Sequence, residues 1–125
     1  MVDKPNGYPC RRCLTDGLLG ETLHLIPYNP FPADAKDSPY QGPGPIFVHA
    51  HECAKYDKAK VSEQQTRRLL SVRAYDVQHM MVNYDTLKGE GLVEKAANMF
   101  GDEKVQYLHV HYAGPGCFAV RVERG

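Results

Sequence analysis

Cys10-Arg11-Arg12-Cys13 is a C-x-x-C in which two thiolates can hold one metal ion or close a redox disulfide, and the arginines between them favour thiolate over thiol. A complete zinc site needs two more ligands. The chain offers them in His49, His51 and Cys53, an alternating H-x-H-x-C, and again in His109, His111 and Cys117. Spacing i, i+2 on a strand puts both imidazoles of each H-x-H on one face, as a metal requires, and four imidazoles would converge if the two strands were neighbours. The other chemistry these residues offer is nucleophilic. Cys117 would attack, His111 or His109 would serve as its base, and Arg121 would bind substrate. The bland alternative is that the histidines line a solvent face and the cysteines pack as small apolar side chains.

The element that positions the second set is a hairpin. From Val105 to Arg124 the sequence alternates strictly, with Leu108, Val110, Tyr112, Phe118, Val120 and Val122 on an apolar face. Tyr107, His109, His111, Cys117, Arg121 and Glu123 then share the polar face, displayed together. A three-residue turn, Gly114-Pro115-Gly116, sets His109 opposite Arg121 and His111 opposite Ala119. Cys117 would then lie diagonal to His111, about 7 Å away between Cα atoms.

Earlier elements are read the same way. Thr22–Tyr28 and Ile46–His51 read as strands, and the five prolines and two glycines between Pro30 and Pro45 make a surface loop. Phe31, Tyr40 and Phe47 around that loop either cover a pocket or anchor the loop to the core. Glu52–Thr66 is polar, with one or two short helical turns. Leu69–Tyr75 and Met80–Tyr84 form a hairpin, and Leu87–Phe100 switches to helical spacing before Gly101. Arg73, on a strand face with Tyr75, is a candidate ligand-binding cation; Asp76 sits at the turn. The order strand, strand, hairpin, helix, hairpin excludes a doubly wound parallel sheet. It predicts an α+β fold, an antiparallel or mixed sheet of five to six strands with one main amphipathic helix.

Fifteen basic and fifteen acidic residues cancel in 125, and they are dispersed. Nothing marks a phosphate-binding footprint, so no nucleic-acid partner is expected, and no stretch is long and apolar enough to suggest a membrane partner. The length suits a single domain spanning 1–125. Four cysteines are too sparse for a secreted disulfide scaffold, which points to a cytoplasmic protein whose thiols stay reduced or bind metal.

Several motifs, read in order, resemble one uncharacterised bacterial family. They are Tyr8-Pro9-Cys10-Arg11, Gly20-Glu21, Ser38-Pro39-Tyr40, Gly42-Pro43-Gly44-Pro45 into Ile46-Phe47-Val48, Arg73-Ala74-Tyr75-Asp76, His109-Val110-His111 and Pro115-Gly116-Cys117-Phe118. The chain looks like a member of the domain-of-unknown-function family numbered 1203. The resemblance implies no activity. It implies an additional N-terminal segment in other members, and it favours the positions of His109, His111 and Cys117 over those of Cys13, His49, His51 and Cys53.

Three functions fit these residues. The first is a binding or interaction domain for a small molecule or protein, with a polar site of His109, His111, Cys117, Arg121, Arg73, Arg11 and Tyr107. The second is a zinc protein using Cys10, Cys13, His49, His51 and Cys53. The third is an enzyme using Cys117, His111 and His109 on a small molecule. A binding domain is the default, because fold class alone implies no chemistry.

Overall fold

The computed structural model describes residues 1–3, 7–56 and 60–124. Six strands form two antiparallel sheets, as the α+β reading expects. Strands β1 (Leu23–Tyr28) and β2 (Gly44–His49) make a two-stranded sheet. The second sheet holds β3 (Leu69–Tyr75), β4 (Met81–Lys88), β5 (Tyr107–Tyr112) and β6 (Phe118–Glu123) in the order β4-β3-β5-β6. Between them lie a one-turn helix, α1 (Glu63–Thr66), and the main helix, α2 (Leu92–Phe100), which continues a 3-10 turn at Gly89–Gly91.

The core explains this order. Leu70, Val72 and Ala74 of β3 and Leu108 and Val110 of β5 are fully buried on one face. Leu92, Ala96 and Met99 of α2, spaced to fall on one helical face, pack against them. Each large side chain withdrawn in this way contributes about 1.5–3 kcal/mol. Because β3 and β5 occupy the centre of the sheet, their other face is covered as well: Tyr75, Tyr107 and His109 are 1%, 3% and 0% exposed. The displayed polar surface expected of the last hairpin is therefore a buried one along β5. Sequence alternation marks faces but not which faces are covered, and here the connection between β1 and β2 brings Phe31 and Tyr40 against Tyr75.

The hairpin register holds at His109 opposite Arg121 and Val110 opposite Val120 and departs beyond them. An irregularity between Val110 and His111 sets Phe118, not Ala119, opposite His111. The Tyr112 amide donates to the Cys117 carbonyl, so four residues, Ala113 to Gly116, make the turn, with Gly116 at φ 80°. A bulge absorbs one residue and moves everything beyond it to the other face. Cys117 thereby joins Tyr112 and the core cluster instead of lying diagonal to His111.

Other bounds shift modestly. β2 begins at Gly44 and ends at His49, β4 runs on to Lys88, and α2 starts at Leu92 rather than Leu87 because β4 uses the intervening residues for pairing with β3. The two H-x-H strands lie in different sheets, so four imidazoles do not converge. Asp76 is a turn residue, its Oδ1 accepting from the amides of Gln78 and Met80.

Gly89 is a point of close approach. A Cβ there would stand 1.8 Å from the Gln65 carbonyl oxygen, a backbone atom that cannot swing aside. Gly89→Ala is expected to cost about 1–3 kcal/mol or more, read as a lowered urea midpoint at unchanged m-value.

Candidate functional site

Cys10 and Cys13 lie in the N-terminal segment, His49 at the end of β2 and Cys53 in the loop after it. Local backbone geometry brings the first two together. Leu14, next after Cys13 and 6% exposed, takes φ 57°, a left-handed conformation that costs a branched residue about 1–2 kcal/mol. The chain thereby reverses, and the Cys10 amide donates to the Thr15 carbonyl. Cys10 also bridges to Phe47 of β2, which sets the segment beside His49.

One ligand atom from each of Cys10, Cys13, His49 and Cys53 falls within 4.8 Å of the other three. The Cys10 and Cys53 sulfurs are 3.9 Å apart, and Cys13 Sγ is 3.5 Å from His49 Nδ1. A tetrahedral ion with ordinary zinc–sulfur and zinc–nitrogen bonds has edges of about 3.8 Å between two sulfurs and about 3.6 Å between sulfur and nitrogen. The Cys10–Cys53 and Cys13–His49 edges match those lengths, and all four ligand atoms lie within 4.8 Å of one another. The other ring nitrogen of His49 meets Glu21 Oε1 at 3.3 Å, the carboxylate–histidine pairing that orients a metal-bound imidazole. His51 takes the second oxygen of the same carboxylate at 2.9 Å. Of the five candidate metal ligands read from sequence, four converge, and His51 stands outside them, against Glu21.

Electrostatics divides the thiols. Burial raises the Cys10 thiol, but backbone hydrogen bonds from Cys13, Arg12 and His49 outweigh it and bring it down to about 6. Burial and the neighbouring Cys13 and Cys10 push Cys53 up to about 12. The Leu18 amide and then His51 hold Glu21 down to about 2. The Glu52 carbonyl and Glu21 raise His51. A cation among the sulfurs would remove the conflict between neighbouring thiolates.

Arg11, between the two cysteines, points to the hairpin. Its guanidinium donates to Cys117 Sγ at 2.8 Å, to the Phe118 carbonyl at 2.7 Å and to the Pro9 carbonyl at 2.6 Å, and it stacks 4.9 Å above the Tyr112 ring. Burial lowers the Arg11 pKa, and Cys117 and Tyr112 oppose that. These side chains border a cavity of about 360 Å³ that Phe47, Leu69 and Pro115 also line. The Tyr112 hydroxyl is bonded to the buried Gln64 and Gln65 of α1, and burial pushes it up to about 12.

His111 faces elsewhere. Its Nδ1 donates to the Gly116 carbonyl at 3.0 Å, leaving Nε2 to accept from Arg73 at 3.5 Å. Among the described residues, Cys117 and the two histidines share no hydrogen bond, so the thiol–imidazole pair considered from sequence is not assembled. His109 is enclosed by Phe31, Tyr107, Tyr75 and Phe118, with ring centroids 4.6–5.2 Å away. Neither of its ring nitrogens has a hydrogen-bond partner. Burial, with His111 and Arg121 adding, pushes His109 down to about 3. Burial, with Arg73 adding and the Gly116 carbonyl opposing, pushes His111 down to about 4.

Arg121 stacks 4.2 Å over Tyr107 and pairs with Glu123 at 3.1 Å. The Tyr107 hydroxyl donates to His79 Nδ1 at 2.7 Å, and burial pushes it up to about 12. Neither residue type nor spacing marks His79 or Glu21 as a site residue: the fold sets His79 against Tyr107 and Glu21 against His49.

The fold and this cluster define a small α+β protein built around a Cys3His group. The model of the family described as a protein of unknown function (DUF1203) matches residues 7–124, and the chain belongs to that family. No curated protein and no solved structure matches it. No helix among the described residues is long and apolar enough to cross a membrane.

Proposed function

We propose that this chain is a small binding domain built on a structural zinc held by Cys10, Cys13, His49 and Cys53. The observation that carries the reading is the convergence of four ligand atoms within 4.8 Å of one another, with two edges, 3.9 Å across Cys10 and Cys53 and 3.5 Å across Cys13 and His49, at the lengths a tetrahedral zinc requires. Four protein ligands close the coordination sphere, and a closed sphere is the mark of a structural site rather than a catalytic one. Three thiolates and one imidazole favour zinc over calcium or magnesium. The metal would tie the N-terminal segment to β2 and hold Arg11 against the hairpin. A reducing, cytoplasmic compartment suits an ion that depends on unoxidised thiols.

Cobalt(II) titration of metal-stripped protein tests this. One equivalent should bind, giving the intense visible bands of tetrahedral cobalt and the near-ultraviolet charge-transfer bands of thiolate ligation. Octahedral, weakly absorbing cobalt, or none bound, would overturn the proposal.

A further inference from the structure

On the four-stranded sheet, the face turned away from α2 carries a second group of polar side chains that the metal centre does not use. Arg73 is half-buried, and among the described residues it has no carboxylate partner. Its polar contacts are Ser71 Oγ at 3.3 Å, His111 Nε2 at 3.5 Å and the Tyr75 side chain, all of them neutral groups. A guanidinium held this way has its charge unbalanced and donors left for a ligand. Directly across the strand pair from Arg73 is His109, fully buried with both nitrogens unpartnered. A buried polar atom without a partner is destabilising, so a fold that retains one asks for an explanation in function. The surroundings are otherwise aromatic: Tyr75, Tyr107 and Phe118 form the walls, and Phe31 lies edge-on over His109 at 4.6 Å.

Phe31 belongs to the connection between β1 and β2, which is held to the sheet by Ser38 and Asp34 at His79 and by the Phe31 and Tyr40 rings on Tyr75. Ser38 Oγ donates to the His79 carbonyl at 2.6 Å, and His79 Nε2 stands 3.3 Å from Asp34. The cover is thus latched to the β3–β4 turn through one side of the loop. Phe31 itself contributes ring contacts, with its amide bonded to Asn29 Oδ1.

We propose that the Phe31-covered face is a binding site for a small monocarboxylate with an aromatic or apolar body. Arg73 supplies the charge and a planar fork that matches a carboxylate, and an N–H of His109 supplies a further donor. The ring walls take the body of the ligand, in place of Phe31. A single uncompensated guanidinium beside two neutral imidazoles balances one negative charge, which favours a carboxylate over a phosphate dianion. The site uses none of the metal ligands, so it stands or falls separately from the zinc reading.

Benzoate is the probe, added to the protein as purified, with binding read by calorimetry and by the imidazole resonances of His109 in nitrogen-15 spectra. Benzoate should bind and shift those resonances. Phe31→Ala, which opens the space above His109, should bind it more tightly. Arg73→Gln, tested alone and in the Phe31→Ala background, should weaken binding by about tenfold or more. Benzamide, the neutral isostere, should bind weakly or not at all, and inorganic phosphate should compete poorly. The proposal is overturned if Phe31→Ala takes up no benzoate, if benzamide binds as well as benzoate, if phosphate displaces benzoate at equal concentration, or if Arg73→Gln in the folded Phe31→Ala protein leaves the affinity unchanged. Zinc content measured on the same samples keeps a failure of the metal reading distinct from a failure here.

Discussion

With zinc bound as proposed, Cys10→Ser is expected to lose it and to loosen the N-terminal segment and the two-stranded sheet, while the four-stranded sheet stays folded. The four ligands join stretches far apart in sequence, beside the parallel bridge from Cys10 to Phe47, the Tyr56 amide on the Arg12 carbonyl and Arg12 Nε on the Cys53 carbonyl; Arg11 on the hairpin and Asp16 on Arg67 and Arg68 anchor the segment independently of the cluster. β1 buries little, with five of its six residues exposed. The larger sheet has its own core with α2, so loss should be sub-global rather than complete. Structural zinc supplies on the order of 10 kcal/mol in the smallest metal-dependent domains, and a few kcal/mol of that is expected here as local stability. Hydrogen exchange should accelerate at least a hundredfold in β1 and β2 and change little in β3 and β5. Glu21→Gln, which removes only the orienting carboxylate, should keep the fold and weaken zinc by about 10- to 100-fold. Cys117→Ser should leave the metal in place. Uniform protection loss in Cys10→Ser, or equal zinc loss in Cys117→Ser, would contradict the account.

The second large effect is on acid stability, and it comes from the two buried imidazoles of β5. In the unfolded chain a histidine titrates near 6.5, while the fold holds His109 down to about 3 and His111 down to about 4. Between those limits the unfolded state binds protons that the native state refuses, so stability rises with pH across the window and falls as acid is added. Full strength is present above pH 6.5. Each proton contributes up to about 1.4 kcal/mol per pH unit, so the combined slope approaches about 2.7 kcal/mol per unit between pH 4 and 6. His109→Leu removes one of the two protons and also an unpartnered buried group, and it should stabilise the protein by about 1–3 kcal/mol at pH 7 and halve the acid slope. Urea titrations of both proteins from pH 4 to 7 measure this. A destabilised His109→Leu protein, or one with the wild-type slope, would show that His109 has a partner in solution that matters to the fold.

Much of the fold is legible in the residues themselves. Leu69–Tyr75 is a strand with the bounds read from its sequence, because β-branched and aromatic residues there meet turn residues at both ends. The register of the last hairpin is legible as far as Val110 and Val120, since alternation enforces it. Beyond that, the bulge near Ala119 is a tertiary choice: it buries Ala119 in the core and sends Cys117 to the Tyr112 side, and no local residue announces it. The Cys/His cluster was legible as residue types and spacings, though not its membership: His49 meets Cys13 while His51 bonds to Glu21 and the Glu52 carbonyl, a difference set by how the N-terminal segment lies on β2. The burial of His109 follows from the strand order and from Phe31 crossing above it, both long-range features that periodicity does not encode. The polar stretch before β3 proved to hold Gln64 and Gln65, both 1% exposed and bonded to each other and to Tyr112, a buried network that composition alone reads as surface.

X-ray absorption at the zinc edge, on protein purified without added metal, tests the central claim most directly. The account predicts one zinc per chain with a first shell of three sulfurs at about 2.3 Å and one nitrogen at about 2.0 Å. Folded protein that carries no zinc, or zinc in a shell of oxygen and nitrogen without sulfur, would contradict it.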